Sequence, residues 1–277
     1  MVNKSITGAG GEIPIRIYTP AGEGPFPVVF YIHGGGWVIA DLDVYDSSPR
    51  ALANAAQAIV VSSHYRQAPE HPFPASHEDV FAAYKWTREN AASFHGDPNR
   101  IAVAGESAGG NMAAAICLMA REQNVPLPLH QVLVYPVAGT DMNTPSFKEN
   151  ANAKPLNQAM MEWFGKHELK NPSDKKDPRI DLLNANLSGL PSATIITAEI
   201  DPLRSGGEML SDKLKAAGVK VEYKNYEGVT HEFFGMGAVL HESRDATKFA
   251  AKNLMKAFKN PANKQQAVRA NNTSSGK

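Results

Sequence analysis

A serine framed by two glycines, where a strand meets a helix, constrains this chain more than any other feature. Residues 101–104 form the short apolar run Ile101-Ala102-Val103-Ala104, and Gly105-Glu106-Ser107-Ala108-Gly109 follows without a spacer. From Asn111 to Ala120 the sequence turns rich in alanine. Strand, turn and helix in so few residues demand a sharp reversal. Side chains two before and two after the serine would crowd strand against helix, so only glycine fits comfortably at 105 and 109. A serine on that turn carries a strained backbone and an exposed hydroxyl, with a helix N-terminus beneath it that favours developing negative charge. The five-residue pattern alone arises by chance in about one chain in ten of this length. Its flanking strand and helix supply the weight.

The second signal is His33-Gly34-Gly35-Gly36-Trp37, directly after the apolar run 27–32. Three consecutive glycines are costly unless the backbone must approach something closely or present its N–H groups. A tetrahedral acyl-transfer intermediate requires both, because fixed N–H donors stabilise its oxyanion. The expected donors are Gly35, Gly36 and Ala108, the residue after the serine. His33 reads as a brace for this loop. The base and the acid are expected later, on loops after the last strands, in the order serine, acid, histidine. Asp201 and His231 occupy those positions. Asp201 would fix the imidazole tautomer, and His231 would take the proton from Ser107 and return it to the leaving group. Glu199 is the rival acid.

Short apolar runs alternate with helical patterns, which predicts an α/β fold: a mostly parallel central sheet with helices on both faces. Strands are expected at 13–18, 27–32, 58–63, 100–104, 131–135 and 192–198, and helices at 49–57, 75–90, 108–122, 202–217 and 242–259. Val219, Val221 and Tyr223 alternate with Lys220, Glu222 and Lys224, the mark of a half-solvated strand near a sheet edge. Residues 140–188 are too long for an ordinary connection and carry their own helix at 158–166. Met160, Met161, Trp163 and Phe164 give that helix an apolar face, so the segment reads as a cap-like insertion in a single domain spanning 1–277. Trp37, Met161 and Phe164 are the expected substrate contacts. Residues 260–277 are polar and read as a flexible tail.

Charge and cysteine content narrow the function. The 28 basic residues balance 28 acidic ones, which removes the electrostatic footprint of a nucleic-acid binder. Cys117 is the only cysteine, so no internal disulfide forms and a structural zinc site is not expected. No Walker-type loop or dinucleotide fingerprint occurs, and no metal or cofactor is expected. No signal peptide or membrane span is visible in the sequence, which reads as a soluble cytoplasmic protein.

Taken together these residues resemble the hormone-sensitive-lipase-like α/β-hydrolases, notably bacterial carboxylesterases. The resemblance runs from about Gly11 to about Lys259. It rests on His33 to Trp37, Tyr65-Arg66-Gln67-Ala68-Pro69-Glu70-His71-Pro72-Phe73-Pro74-Ala75, Asp97 to Ile101, Gly105 to Asn111, Asp201 to Arg204, and His231 with Phe233. Three positions depart from the family pattern: Glu106 for the commoner aspartate, Gln67 for leucine and Ala40 for glycine. Family members normally begin with several dozen further residues whose helices cover the site, so a reduced cap is expected. The resemblance implies a Ser107–His231–Asp201 triad and an oxyanion hole of Gly35, Gly36 and Ala108. It also implies cofactor-free hydrolysis of short-chain acyl esters through an acyl-enzyme, and a homodimer through the last strand and its neighbouring helix. An amidase of the formamide-hydrolase type and a non-catalytic small-ligand receptor are the alternative functions.

Overall fold

The chain opens with a hairpin, β1 (Val2–Gly8) and β2 (Gly11–Tyr18), paired antiparallel from Val2↔Ile17 to Gly8↔Gly11. It then builds β3 (Phe26–Ile32), β4 (Ile59–Ser63), β5 (Gly96–Glu106), β6 (His130–Val134), β7 (Ser192–Ile200) and β8 (Val221–Thr230). These strands make one sheet in the order β1-β2-β4-β3-β5-β6-β7-β8. Only the β1/β2 and β2/β4 pairings are antiparallel; the rest are parallel. This computed structural model describes residues 1–259, and the tail expected at 260–277 lies outside the described residues.

Strand alternation divides the core into two layers. Val28, Phe30 and Ile32 of β3 point to one face, and Val29 and Tyr31 point to the other; in β5, Ile101 and Val103 oppose Ala102 and Ala104. The first face is covered by α2 (Ala75–Asn90), α3 (Ala108–Glu122) and α6 (Arg204–Ala216), which contribute Val80, Ile116 and Leu210. The second is covered by α1 (Ser47–Ala56) and α7 (His241–Phe258), which contribute Leu52, Ala250 and Leu254. Each large apolar side chain buried in these layers contributes about 1.5–3 kcal/mol. The helix behind the serine is buried along its length from Ala108 to Ala120, and alanine there lets it approach the sheet.

Sequence periodicity missed β1. Only Ile6 of that strand is buried, so neither alternation nor an apolar run marks it. The edge expected from residues 219–224 is found, since β8 ends the strand order on one side and β1 on the other. Between β6 and β7 the insertion contains α4 (Pro145–Glu149) and α5 (Gln158–Glu168). Because β3, β5, β7 and β8 run parallel, their C-terminal ends meet on one rim. Ligand sites form there in open α/β sheets.

Candidate active site

Ser107 sits between β5 and α3 with φ 57 and ψ −119, a left-handed conformation that L-residues other than glycine seldom adopt. Packing imposes it. A Cβ at Gly105 would lie 2.2 Å from the Gly109 carbonyl oxygen, and one at Gly109 would lie 2.2 Å from the Ile32 carbonyl oxygen. The start of α3 is thus pressed against both β5 and the end of β3, and the serine is the residue left at the apex.

The rim brings the three expected polar side chains together. The Ser107 hydroxyl lies 3.0 Å from His231 Nε2, and His231 Nδ1 lies 2.7 Å from Asp201 Oδ2. A carboxylate only accepts, so Nδ1 carries the hydrogen and Nε2 is free to receive the serine proton. Asp201 is fully buried and its Oδ1 accepts the Leu203 N–H at 2.9 Å. Glu199, the rival acid, accepts instead from the Gly228 N–H at 2.7 Å and is solvent-exposed. Burial opposes charging of His231, but Asp201, with Glu232 and Glu106 behind it, outweighs burial and raises the imidazole pKa above its ordinary 6.5. Such a chain can accept a proton from a hydroxyl nucleophile and hold the resulting imidazolium in place.

Glu106, immediately before the serine, points away from it into the core and accepts hydrogen bonds from the Tyr31 and Tyr135 hydroxyls. Burial, followed by the nearby Glu232 charge, pushes its pKa up to about 7. The Tyr135 ring lies 4.4 Å from the His231 ring, centre to centre, so this buried layer supports the imidazole from below.

The loop after β3 turns tightly at Gly35, with φ 100, where a Cβ would strike the Ile39 carbonyl oxygen at 2.1 Å. Gly35 and Gly36 line the same cleft as Ser107, and Ala108 opens α3, where backbone N–H groups lack intrahelical partners. Among the described residues, the Gly35 and Gly36 N–H groups donate to no protein acceptor in the loop. His33 braces this loop as expected. Its Nδ1 donates to the Gly34 carbonyl at 2.8 Å, so Nε2 must accept from His64 Nδ1 at 3.0 Å. Burial lowers the His33 pKa to about 3, keeping the ring neutral. The Tyr65 hydroxyl donates to the carbonyls of His33 at 3.2 Å and Gly34 at 3.0 Å.

Ser107 and His231 open into a largely apolar cleft of about 260 Å³. Phe164 lines it, but two other expected contacts do not. Trp37 has φ 63, which turns its indole into the core beside His77, and it is buried to 3% exposure. Met161 is likewise packed into the core. Its neighbour Met160 takes the cleft position, because 160 and 164 are one helical turn apart and share a face of α5. Tyr45 and Glu232 also line the cleft and were not singled out from sequence; they lie 187 residues apart and share no motif. Among the described residues, no three His, Cys, Asp or Glu side chains are grouped to hold a metal ion, and no helix is long and apolar enough to cross a membrane.

The chain is similar in sequence and fold to known proteins. The alpha/beta hydrolase fold family matches residues 29–235. Carboxylesterase NlhH of Mycobacterium tuberculosis is 44% identical over 241 residues, 85% of this chain and 76% of that protein. Ethyl acetate hydrolase of Pseudomonas putida is 34% identical over 239 residues, 84% of this chain and 75% of that protein. The solved hyperthermophilic esterase from the archaeon Pyrobaculum calidifontis superposes with a TM-score of 0.90 at 40% identity, covering 92% of this chain and 85% of that one. The chain belongs to the hormone-sensitive-lipase-like α/β-hydrolases and is a carboxylic ester hydrolase.

Proposed function

We propose that the protein hydrolyses short-chain acyl esters through an acyl-enzyme on Ser107. The observation that carries this is the unbroken chain from Ser107 to His231 to Asp201, at 3.0 and 2.7 Å, at the base of the cleft. His231 accepts the hydroxyl proton as Ser107 attacks the ester carbonyl, and Asp201 stabilises the imidazolium. The N–H groups of Gly35, Gly36 and Ala108 receive the oxyanion. The imidazolium then protonates the departing alcohol, and a water activated by the same imidazole releases the acid. A cleft of about 260 Å³ is below the usual range for drug-sized ligands, which supports a short acyl group. The relative named for ethyl acetate supports the same size class. We further infer that two copies pair along the open edge of β8, which light scattering in solution would report as twice the monomer mass.

The test is hydrolysis of chromogenic esters and matched anilides of graded acyl length, with labelling by a phosphonate. Acetyl to butyryl esters should lead, and Ser107→Ala should reduce turnover by about 10⁴–10⁶. A phosphonate adduct on any residue other than Ser107 overturns the mechanism, and anilides outpacing esters overturn the ester preference.

A further inference from the structure

Glu232, the residue after the histidine, is held in a conformation that needs an explanation. Its backbone has φ 71 and ψ 1, in the left-handed region that non-glycine residues seldom adopt. An outlier of this kind beside a reaction centre points to a role for the side chain it orients. That side chain lines the cleft and is about one-third exposed, and the Tyr45 hydroxyl donates to its two oxygens at 2.7 and 2.8 Å. Oε1 stands 3.7 Å from His231 Nε2. No lysine or arginine lines the cleft, and none pairs with Glu232 among the described residues. A carboxylate therefore faces an otherwise apolar binding space with no lysine or arginine to balance it; its basic neighbour is His231, whose imidazole is neutral when substrate binds for attack.

The position of that charge decides what it selects. His231 Nε2 is the atom that hands a proton to the leaving oxygen, so a carboxylate 3.7 Å from it lies beside the alcohol portion of a bound ester. We propose that Glu232 is a specificity-determining residue that favours esters whose alcohol carries a cation a few bonds from the ester oxygen, and disfavours anionic alcohols. This inference rests on the ester-hydrolase mechanism proposed above, and it adds the chemical class of the leaving group. A unit charge about 5 Å from the partly solvent-exposed Glu232 carboxylate is favoured by an interaction worth about tenfold in kcat/KM.

The test compares choline acetate with its neutral isostere, 3,3-dimethylbutyl acetate. Both share the acyl group and the proton transfer, so any influence of Glu232 on the His231 pKa cancels in the ratio of their kcat/KM values. The wild-type protein should prefer the choline ester about tenfold at low ionic strength, and added salt should shrink that preference. Glu232→Gln should bring the ratio to within about twofold of one, and Glu232→Asp should retain part of the preference. Tyr45→Phe removes the hydrogen bond without removing the charge and should keep the ratio. A wild-type ratio near one, or an unchanged ratio in Glu232→Gln, overturns the assignment. A neutral ester hydrolysed independently of Ser107 overturns instead the mechanism on which it rests.

Discussion

The Ser76 hydroxyl donates to Glu168 Oε1 at 3.0 Å, tying the last residue of α5 to the start of α2 across 92 residues of sequence. The Phe73 N–H adds a bond to the Glu168 carbonyl at 3.0 Å. The insertion that walls the cleft is therefore anchored to the body at a buried carboxyl. Glu168 Oε2 is buried without a hydrogen-bond partner among the described residues, which fits the neutral acid better than the anion. Burial pushes the Glu168 pKa from 4.5 up to about 8.

That shift makes stability fall as pH rises. Between pH 4.5 and about 8 the folded protein keeps the Glu168 proton while the unfolded chain has released it. The unfolded state then binds fewer protons, so unfolding is favoured by up to about 1.4 kcal/mol per pH unit until the folded pKa is passed. Glu106, held up to about 7, acts in the same direction. Urea denaturation of the wild type and Glu168→Gln from pH 5 to 9 should show the variant losing less stability over pH 6.5–8. Parallel curves for the two proteins would mean that Glu168 is ionised in the fold.

Activity should depend on pH through a different group with the opposite slope. Only the neutral imidazole accepts the serine proton, and the His231 pKa lies above 6.5, so kcat/KM should rise with pH through a midpoint above that value. Asp201→Asn removes the largest charge holding the pKa up and leaves the tautomer unfixed. Its midpoint should move down and turnover should drop by about 10⁴. Glu199→Gln should leave the midpoint in place, because Glu199 bonds to Gly228 rather than to the imidazole. A larger loss in Glu199→Gln than in Asp201→Asn would show that the acid is misassigned.

The sequence carried the site's backbone better than its walls. Gly105 to Gly109 and His33 to Trp37 are legible because close approach and N–H presentation leave glycine as the only workable residue, and such constraints print themselves as local motifs. Asp201 and His231 are legible because parallel strands put successive loops on one rim. Wall residues obey no such local rule. Met160 and Met161 are adjacent methionines, and the packing angle of α5 alone decides which one sees the cleft. Trp37 looked like a contact from its place in the motif, yet φ 63 sends it the other way. The Tyr45–Glu232 pair joins distant segments and exists only once the sheet has assembled.

Gly109 offers a test of the packing that creates the elbow. Adding a methyl there places it 2.2 Å from the Ile32 carbonyl oxygen and 2.5 Å from that of His33, and neither backbone atom can rotate away. Gly109→Ala should therefore displace α3 from β3, with a stability loss at the upper end of the 1–3 kcal/mol typical of overpacking and a large fall in activity. The acid-to-neutral midpoint of the residual activity should stay where it is, since His231 and Asp201 lie on other loops. Wild-type stability by denaturant titration would show instead that the helix is free to shift.

Phe164 sets the depth of the cleft. Its ring packs against Gly36, where an added Cβ would meet the ring at 2.3 Å, so ring and glycine face each other directly across the wall of the site. The side chain is 4% exposed and borders the cleft with Met160 and Leu156. Phe164→Ala should extend the cleft towards α5 at a stability cost of about 3–5 kcal/mol, which the fold must tolerate for the experiment to be read. Phe164→Leu is the milder companion and should extend it less. Each methylene that gains a buried apolar contact in the added space is worth up to about 0.8 kcal/mol, or roughly fourfold in kcat/KM. The preferred acyl length should consequently move from acetyl or butyryl towards hexanoyl or octanoyl, in the order wild type, Leu, Ala. The same acyl optimum in all three proteins would place the acyl group elsewhere in the cleft and assign the wall at Phe164 to the alcohol.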